Sequence, residues 1–385
     1  MRFGLASKLA IVFLAGIGFL CTPEYCPPSA GAKTEIDARE YARLVSSLSE
    51  PEGYFDSDNF ISNEAGYLKI LPLFNHLSIH GGVYLGVGPD QNYSYLAEVQ
   101  PQLAFMVDIR RQNLLQHLYY KALFELSPNR VEFLQRLFGR RIDVPDSKAT
   151  GWTIGRLVEG IEKAPRDANL ETRYVREAEQ VVHGWPLQLS DEDFRTIDYV
   201  ARSLIEGGPE LQFTSYNRRP RYWYPTYREL LLQTDSAGRN TNYLASDERF
   251  DVIRTLHREN RIIPVVADLA GSSAILKIAR ELRARRLMVS CFYLSNVEFY
   301  LFGSARWSAY VRNMQGLPWM PNAVLVRSFS NNWRAHPAST PGYYMTTVLQ
   351  RASDFFGNEE TGRNATYWDL VTNDYIGPDK ERINP

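Results

Sequence analysis

The stretch "GGVYLGVGPDQNYSYLAEVQPQLAFMVDIRRQN", Gly81 to Asn113, decides how the rest of the chain is read. An apolar run, Val83 to Leu85, stops at two glycines, Gly86 and Gly88. A helix-like stretch follows, then a second apolar run, Leu103 to Val107, that stops at Asp108. The pattern predicts a strand over 82–86, a glycine turn, a short helix over 90–98, a strand over 103–108 and a long helix over 110–126. Glycines between a strand and a helix let a ligand approach the backbone near the positive helix end. An acid about 20 residues further on, closing the next strand, can take both ribose hydroxyls. Gly86, Gly88 and Asp108 are therefore candidates for cofactor binding. The same residues also read as a plain glycine turn with an aspartate that caps the following helix.

Working outward, the alternation resumes after residue 246. Helix "SDERFDVIRTLHREN", with Ser246 as N-cap, is followed by strand "RIIPVVAD" and helix "SSAILKIARELRARR". Strand "LMVSCFYL", helix "NVEFYLFGSARWSAYVRNM" and strand "NAVLVRSF" come next. Apolar strands separated by single helices predict an α/β fold with a doubly wound, mainly parallel sheet covered on both faces. Residues 127–246 break the rhythm. They read as a mostly helical insertion or cap, with helices near 131–138, 153–162, 170–180 and 191–205. Residues 33–80 read as a lead-in segment that covers one edge of the core, its helix capped by Thr34. Residues 331–385 read as one or two closing strands and a tail.

In an open α/β sheet, ligands sit outside the carboxyl ends of the strands. Three further groups fall on that edge. Asp268, in "VVADLAG", closes the third strand, or caps the helix starting near Ser272. Ser295 and Asn296 follow the fourth strand, and Asn296 can both donate and accept. Glu298 reads as a base or as an acid in a first helical turn. Arg110 and Arg111 stand where an arginine opposes the helix dipole, which favours pairing with a carboxylate or phosphate.

The segments "VYLGVGPD", "LAFMVDIR", "RIIPVVADLAG", "MVSCFYLSNVEFYL" and "AVLVRSF" together resemble a class I S-adenosylmethionine-dependent methyltransferase. More closely, the chain resembles a group of bacterial proteins carrying "GVGPDQNY" and "FMVDIRRQN". The likeness spans residues 80–126 and 247–330. It implies that Gly86 and Gly88 contact the amino-acid end of S-adenosylmethionine, that Asp108 holds the ribose, and that Asp268 meets the adenine. It places Ser295 and Asn296 on the substrate side. Three departures stand out: Tyr84 replaces the acid two positions before the first glycine, the third glycine is absent with Asn92 near its place, and the insertion is long. Catalytic residues are not implied. Asp108 would serve an NAD-dependent oxidoreductase equally, and an exported protein that keeps the fold and binds a ligand without catalysis reads the same.

Composition narrows the partners. The 385 residues carry a net charge of -1 and are 44% hydrophobic and 13% aromatic. A neutral chain gives no electrostatic case for nucleic acid. The basic aromatic tract "YNRRPRYWYPTYREL" reads instead as arginines paired with acids and rings anchoring the insertion. His76 and His80 are four apart, but Gly81-Gly82 follow at once and no Glu-x-x-His motif accompanies them, so structural roles are expected for both and a small molecule is the expected ligand. Residues 1–32 read as an export signal, with Arg2 and Lys8, the apolar run Leu9 to Leu20 and a cleavage site at Ala30-Gly31-Ala32. The implied location is exported or periplasmic, or cytoplasmic if the start is mis-assigned. An uncleaved leader would be the one route to a membrane. Cys21, Cys26 and Cys291 form no disulfide framework.

Overall fold

The computed structural model describes residues 35–142, 151–218 and 221–378. The expected leader, Cys21, Cys26 and Thr34 lie outside them. The expected alternation of strand and helix is present. Strands β1 (Val83–Val87), β2 (Leu103–Asp108), β3 (Ile262–Val266), β4 (Val289–Ser295), β5 (Trp319–Ser330) and β6 (Met345–Arg351) form one mixed sheet in the order β3-β2-β1-β4-β5-β6. All neighbouring pairs are parallel except β5 with β6, where Val324 pairs with Arg351 and Ser330 with Met345. β1, β2 and β3 are buried along nearly their whole length, as helices on both faces require. Pro264 is tolerated in β3 because that strand is at the sheet edge, where a ladder donor can be spared.

The order reverses at β1. The chain builds outward through β2 and β3, then crosses to the other side of β1 for β4. A crevice opens at such a switch point, at the carboxyl ends of β1 and β4. Residues 83–108 and 262–296 therefore present Gly86, Gly88, Asp108, Asp268, Ser295 and Asn296 along one edge.

Local signals set the helix ends. Asp37, rather than the expected Thr34, caps helix Ala38–Leu48 by accepting from the amides of Arg39 and Glu40, both at 2.9 Å. Ser246 caps helix Asp247–Arg258 as expected, accepting from Arg249 N at 3.3 Å. The single helix expected over residues 296–314 is two, Val297–Leu301 and Trp307–Gly316, separated at Gly303, whose φ of 71° a helix cannot hold.

Among the described residues, the insertion contains helices Arg130–Phe138, Ile154–Lys163, Ala168–His183, Asp191–Gly207 and Tyr227–Leu232. They change the character of helix Arg111–Leu126. Its spacing predicts one buried face along Leu114, Leu118, Ala122 and Leu126, yet every residue from Asn113 to Phe124 is buried. Helices Ala168–His183 and Asp191–Gly207 pack on the face that solvent would otherwise have. Among the described residues, the closing segment contains one strand, β6, and two helices, Ala352–Thr361 and Tyr367–Thr372.

Candidate functional site

The glycine turn after β1 is filled by its own chain. Asn92 opens helix Asn92–Val99 fully buried, and its Nδ2 donates to the carbonyls of Val87 at 2.9 Å and Pro89 at 2.8 Å. Its Oδ1 accepts from the Tyr84 hydroxyl at 2.7 Å. A Cβ at Gly86 would lie 2.0 Å from that Oδ1, so glycine is needed here to admit Asn92 and Tyr84. Gly88 is different. Its φ of +80° belongs to the left-handed region, and a Cβ there would have Asn59 Nδ2 at 3.5 Å and Gln91 Nε2 at 3.7 Å. Its carbonyl accepts from His117 Nε2 at 2.9 Å. A carbonyl can only accept, so Nε2 carries the proton, and Nδ1 takes the Tyr93 hydroxyl at 2.8 Å. Burial pushes the His117 imidazole down to about 4, which keeps it neutral.

Both acids expected to meet a cofactor are held by arginines. Asp108 Oδ1 accepts from Arg110 Nε at 3.0 Å, and Oδ2 accepts from Arg110 Nη2 at 2.8 Å. Arg110 is only 6% exposed, and its Nη1 donates to the carbonyls of Ser57, at 3.0 Å, and Asp58. Asp268 is paired with Arg306, and its other oxygen closes a local turn on Ala270 N at 2.9 Å. It is not the cap of helix Ala274–Arg285, which has no side-chain cap. Arg111 pairs with Asp193 of the insertion, at 2.5 and 2.8 Å.

What the sequence did not signal is the course of residues 49–64. This segment runs as a strap along the carboxyl edge and meets all five parallel strands. Glu50 N donates to Val266 O of β3 at 3.0 Å. The Glu50 carboxylate accepts from Asp268 N at 2.7 Å, Ser273 Oγ at 2.9 Å and Ala274 N at 3.0 Å. Gly53 N donates to Ile109 O, just past β2, at 2.8 Å. Asn59 lies beside Gly88 after β1. Glu64 accepts from Tyr293 and Ser295 of β4 and from Ser328 of β5. The strap also holds the insertion. Asp58 takes the Tyr216 hydroxyl, the Tyr199 hydroxyl at 3.1 Å and Gln112 Nε2 at 2.8 Å.

Glu64 is 2% exposed, and burial raises its carboxyl above the usual range against the pull of the three hydroxyl donors. Ser295, which delivers one of them, has a φ of +52°, a strained conformation for a residue with a Cβ. Asn296 is half-buried at the start of helix Val297–Leu301 and makes no cap bond. Glu298 is a first-turn acid of helix Val297–Leu301, as one of its two readings expects, and not an exposed base. It forms a fully buried pair with Arg327, and Tyr310 donates to it at 2.6 Å.

The basic aromatic tract behaves largely as its composition implies. Arg218 lies 4.0 Å from Asp56, Arg221 sits 5.1 Å from the Trp223 ring, and Trp223 stacks on Tyr344 at 5.2 Å. Two surface cavities lie away from the edge. One of about 560 Å³ lies at the amino end of β1, lined by His80, Gly81, Glu98 and Arg249. Another of about 550 Å³ lies on the insertion at His183, Asp191 and Phe194. Among the described residues, no group of three His, Cys, Asp or Glu side chains could hold a metal ion, and no helix is long and apolar enough to cross a membrane. Cys291 is buried in β4, and burial pushes its thiol up.

No curated protein matches the chain. A family described as a domain of unknown function, DUF7790, matches residues 60–145 and 191–367. That span contains all six strands, Glu64, Asp108 and Arg110, and leaves out helices Ile154–Lys163 and Ala168–His183. With more than half of its length matched, the chain belongs to the DUF7790 family.

Proposed function

We propose that this chain is a small-molecule-binding protein of Rossmann-type, methyltransferase-like fold that does not transfer methyl groups from S-adenosylmethionine. The strand order and the positive φ of Gly88 support the fold reading. One observation carries the rest: Arg110 uses three of the about four acceptor sites of Asp108, two on Oδ1 through its amide and Nε and one on Oδ2, which leaves too few for both ribose hydroxyls. Arg110 is itself locked on two strap carbonyls. S-adenosylmethionine, held through its ribose, does not fit that arrangement. Freeing Asp108 would leave a buried arginine unpaired, at a cost of about 3–5 kcal/mol. The same obstacle meets NAD. The paired Asp268 and the filled space above Gly86 agree with this reading.

Titration calorimetry of the full chain with S-adenosylmethionine, its demethylated product and NAD tests the proposal. No heat of binding is expected from any of the three. Micromolar binding of any one of them, abolished by Asp108→Ala, would overturn it.

A further inference from the structure

Several charged groups along this edge are matched inside the chain. Asp108 has Arg110, Asp268 has Arg306, and Glu298 has Arg327. Among the described residues Glu50, Asp58, Asp90 and Glu64 form no ion pair, and Glu64 is the most deeply buried of the four. It is as deeply buried as Glu298, but among the described residues no Lys, Arg or His forms an ion pair with it. Its partners are three hydroxyls. Tyr293 and Ser328 both donate to Oε2, and Ser295 alone donates to Oε1. A carboxylate offers about four acceptor sites, so Oε1 keeps a lone pair to spare. A buried carboxylate without a cation is costly, and it is relieved by taking a proton or by taking a positive partner.

The surroundings favour a partner that brings donors and a positive charge. Gln91 Nε2 donates to the Tyr293 hydroxyl at 3.1 Å, and that hydroxyl passes its own proton to Glu64. This direction of donation leaves Gln91 Oε1 as the outer acceptor. That oxygen is buried and has no partner, on a side chain only 6% exposed. Unmatched buried acceptors are uncommon and ask for a donor. Ser295 aims its hydroxyl at Glu64 from a strained backbone, at the carboxyl end of β4 beside the topological switch point. One helical turn on, Phe299 and Tyr300 are 58% and 50% exposed, with their rings perpendicular at 5.4 Å. Phe55 of the strap meets Tyr300 edge-on at 5.7 Å. Exposed aromatic faces attract organic cations.

We propose that Glu64 anchors the positively charged nitrogen of an organic ammonium ligand, with Gln91 as a second acceptor and the rings of Phe299 and Tyr300 flanking it. The inference rests on the small-molecule reading above and names the ligand class for that edge. The ammonium supplies the charge that Glu64 lacks.

The test compares choline with its uncharged carbon isostere, 3,3-dimethyl-1-butanol, on the full chain by thermal denaturation and calorimetry. Choline should raise the Tm in a dose-dependent way, and the isostere should not. Glu64→Gln should weaken choline binding at least tenfold while the far-ultraviolet circular dichroism stays native. An equal response to both probes, or to neither, overturns the proposal on the wild-type chain alone, even if the variant fails to fold. Undiminished choline binding by a folded Glu64→Gln variant overturns it as well. The two titrations are separable. Silence with choline removes the role of Glu64 whatever the nucleotides do, and heat from S-adenosylmethionine removes the earlier reading whatever choline does.

Discussion

Asp90 lies in the turn after β1, two residues past Gly88, and points into the insertion. Its Oδ2 accepts from Tyr227 at 2.5 Å and Tyr243 at 2.8 Å. Burial outweighs these donors and pushes the carboxyl up to about 6 from an ordinary 3.8. A raised folded pKa means that the native state holds this proton more tightly. The stability from Asp90 is full below pH 3.8 and is lost as pH rises through 6. His117 works in the opposite sense. Lowered from 6.5 to about 4, it contributes stability that is full above 6.5 and lost as pH falls to 4. Each shift is worth about 3 kcal/mol, so the two nearly offset each other between pH 4 and 6. Asp90→Asn should expose the His117 dependence. Urea denaturation should then show stability falling by about 3 kcal/mol more steeply than wild type from pH 6.5 to 4; parallel profiles would contradict the assignment. Arg327 gives a second test. It and Glu298 are each 2% exposed, so Arg327→Met strands a buried carboxylate and should cost about 3–5 kcal/mol in urea. Replacing both residues with apolar ones should recover most of that loss.

At the scale of elements, the strap is the part of the edge that depends on few interactions. Its first half hangs on Glu50, whose carboxylate serves three donors around Asp268 and Ser273, and on the carbonyls that face Arg110. Hydrogen bonds to a charged group are each worth about 1.5–3 kcal/mol. Glu50→Gln should therefore raise amide exchange at least tenfold in residues 49–58 and 268–274, measured by mass spectrometry, with the six strands unchanged. Exchange that spread into β1 or β4 would mean that the strap is part of the sheet's cooperative core. The periodicity of "TEIDAREYARLVSSLSE" revealed the helix before the strap, because helical spacing is a local property. "GYFDSDNFISNE" has no period to read. Its conformation is set by carbonyl and carboxylate contacts to Ile109, Arg110, Tyr293 and Ser328, which are distant in sequence. Helix Arg111–Leu126 shows the converse case. Its existence was legible, but its burial on every side was not, since that requires the insertion to fold back over it.

For the whole molecule, alternating apolar strands and helices were enough to predict an α/β chain with a mainly parallel sheet, and the boundaries of the expected strands hold to within a few residues. Parallel strands buried on both faces must be apolar throughout, and that run is visible without a structure. Strand order was also constrained, because right-handed crossovers leave few ways to wind such a sheet. The antiparallel placement of β6 was not visible, since nothing within Met345–Arg351 marks direction. The residues at the carboxyl edge follow the same division. The sequence by itself determined that Gly88, Asp108, Asp268, Ser295 and Asn296 would share that edge, because each closes a strand of known direction. Only the tertiary structure decided what they do there. Asp108 faces Arg110, Gly86 makes room for Asn92, and Glu64 arrives from the strap with no cation of its own. Strand ends follow from local pattern, whereas the partner of a buried charge is chosen by whichever segment packs against it.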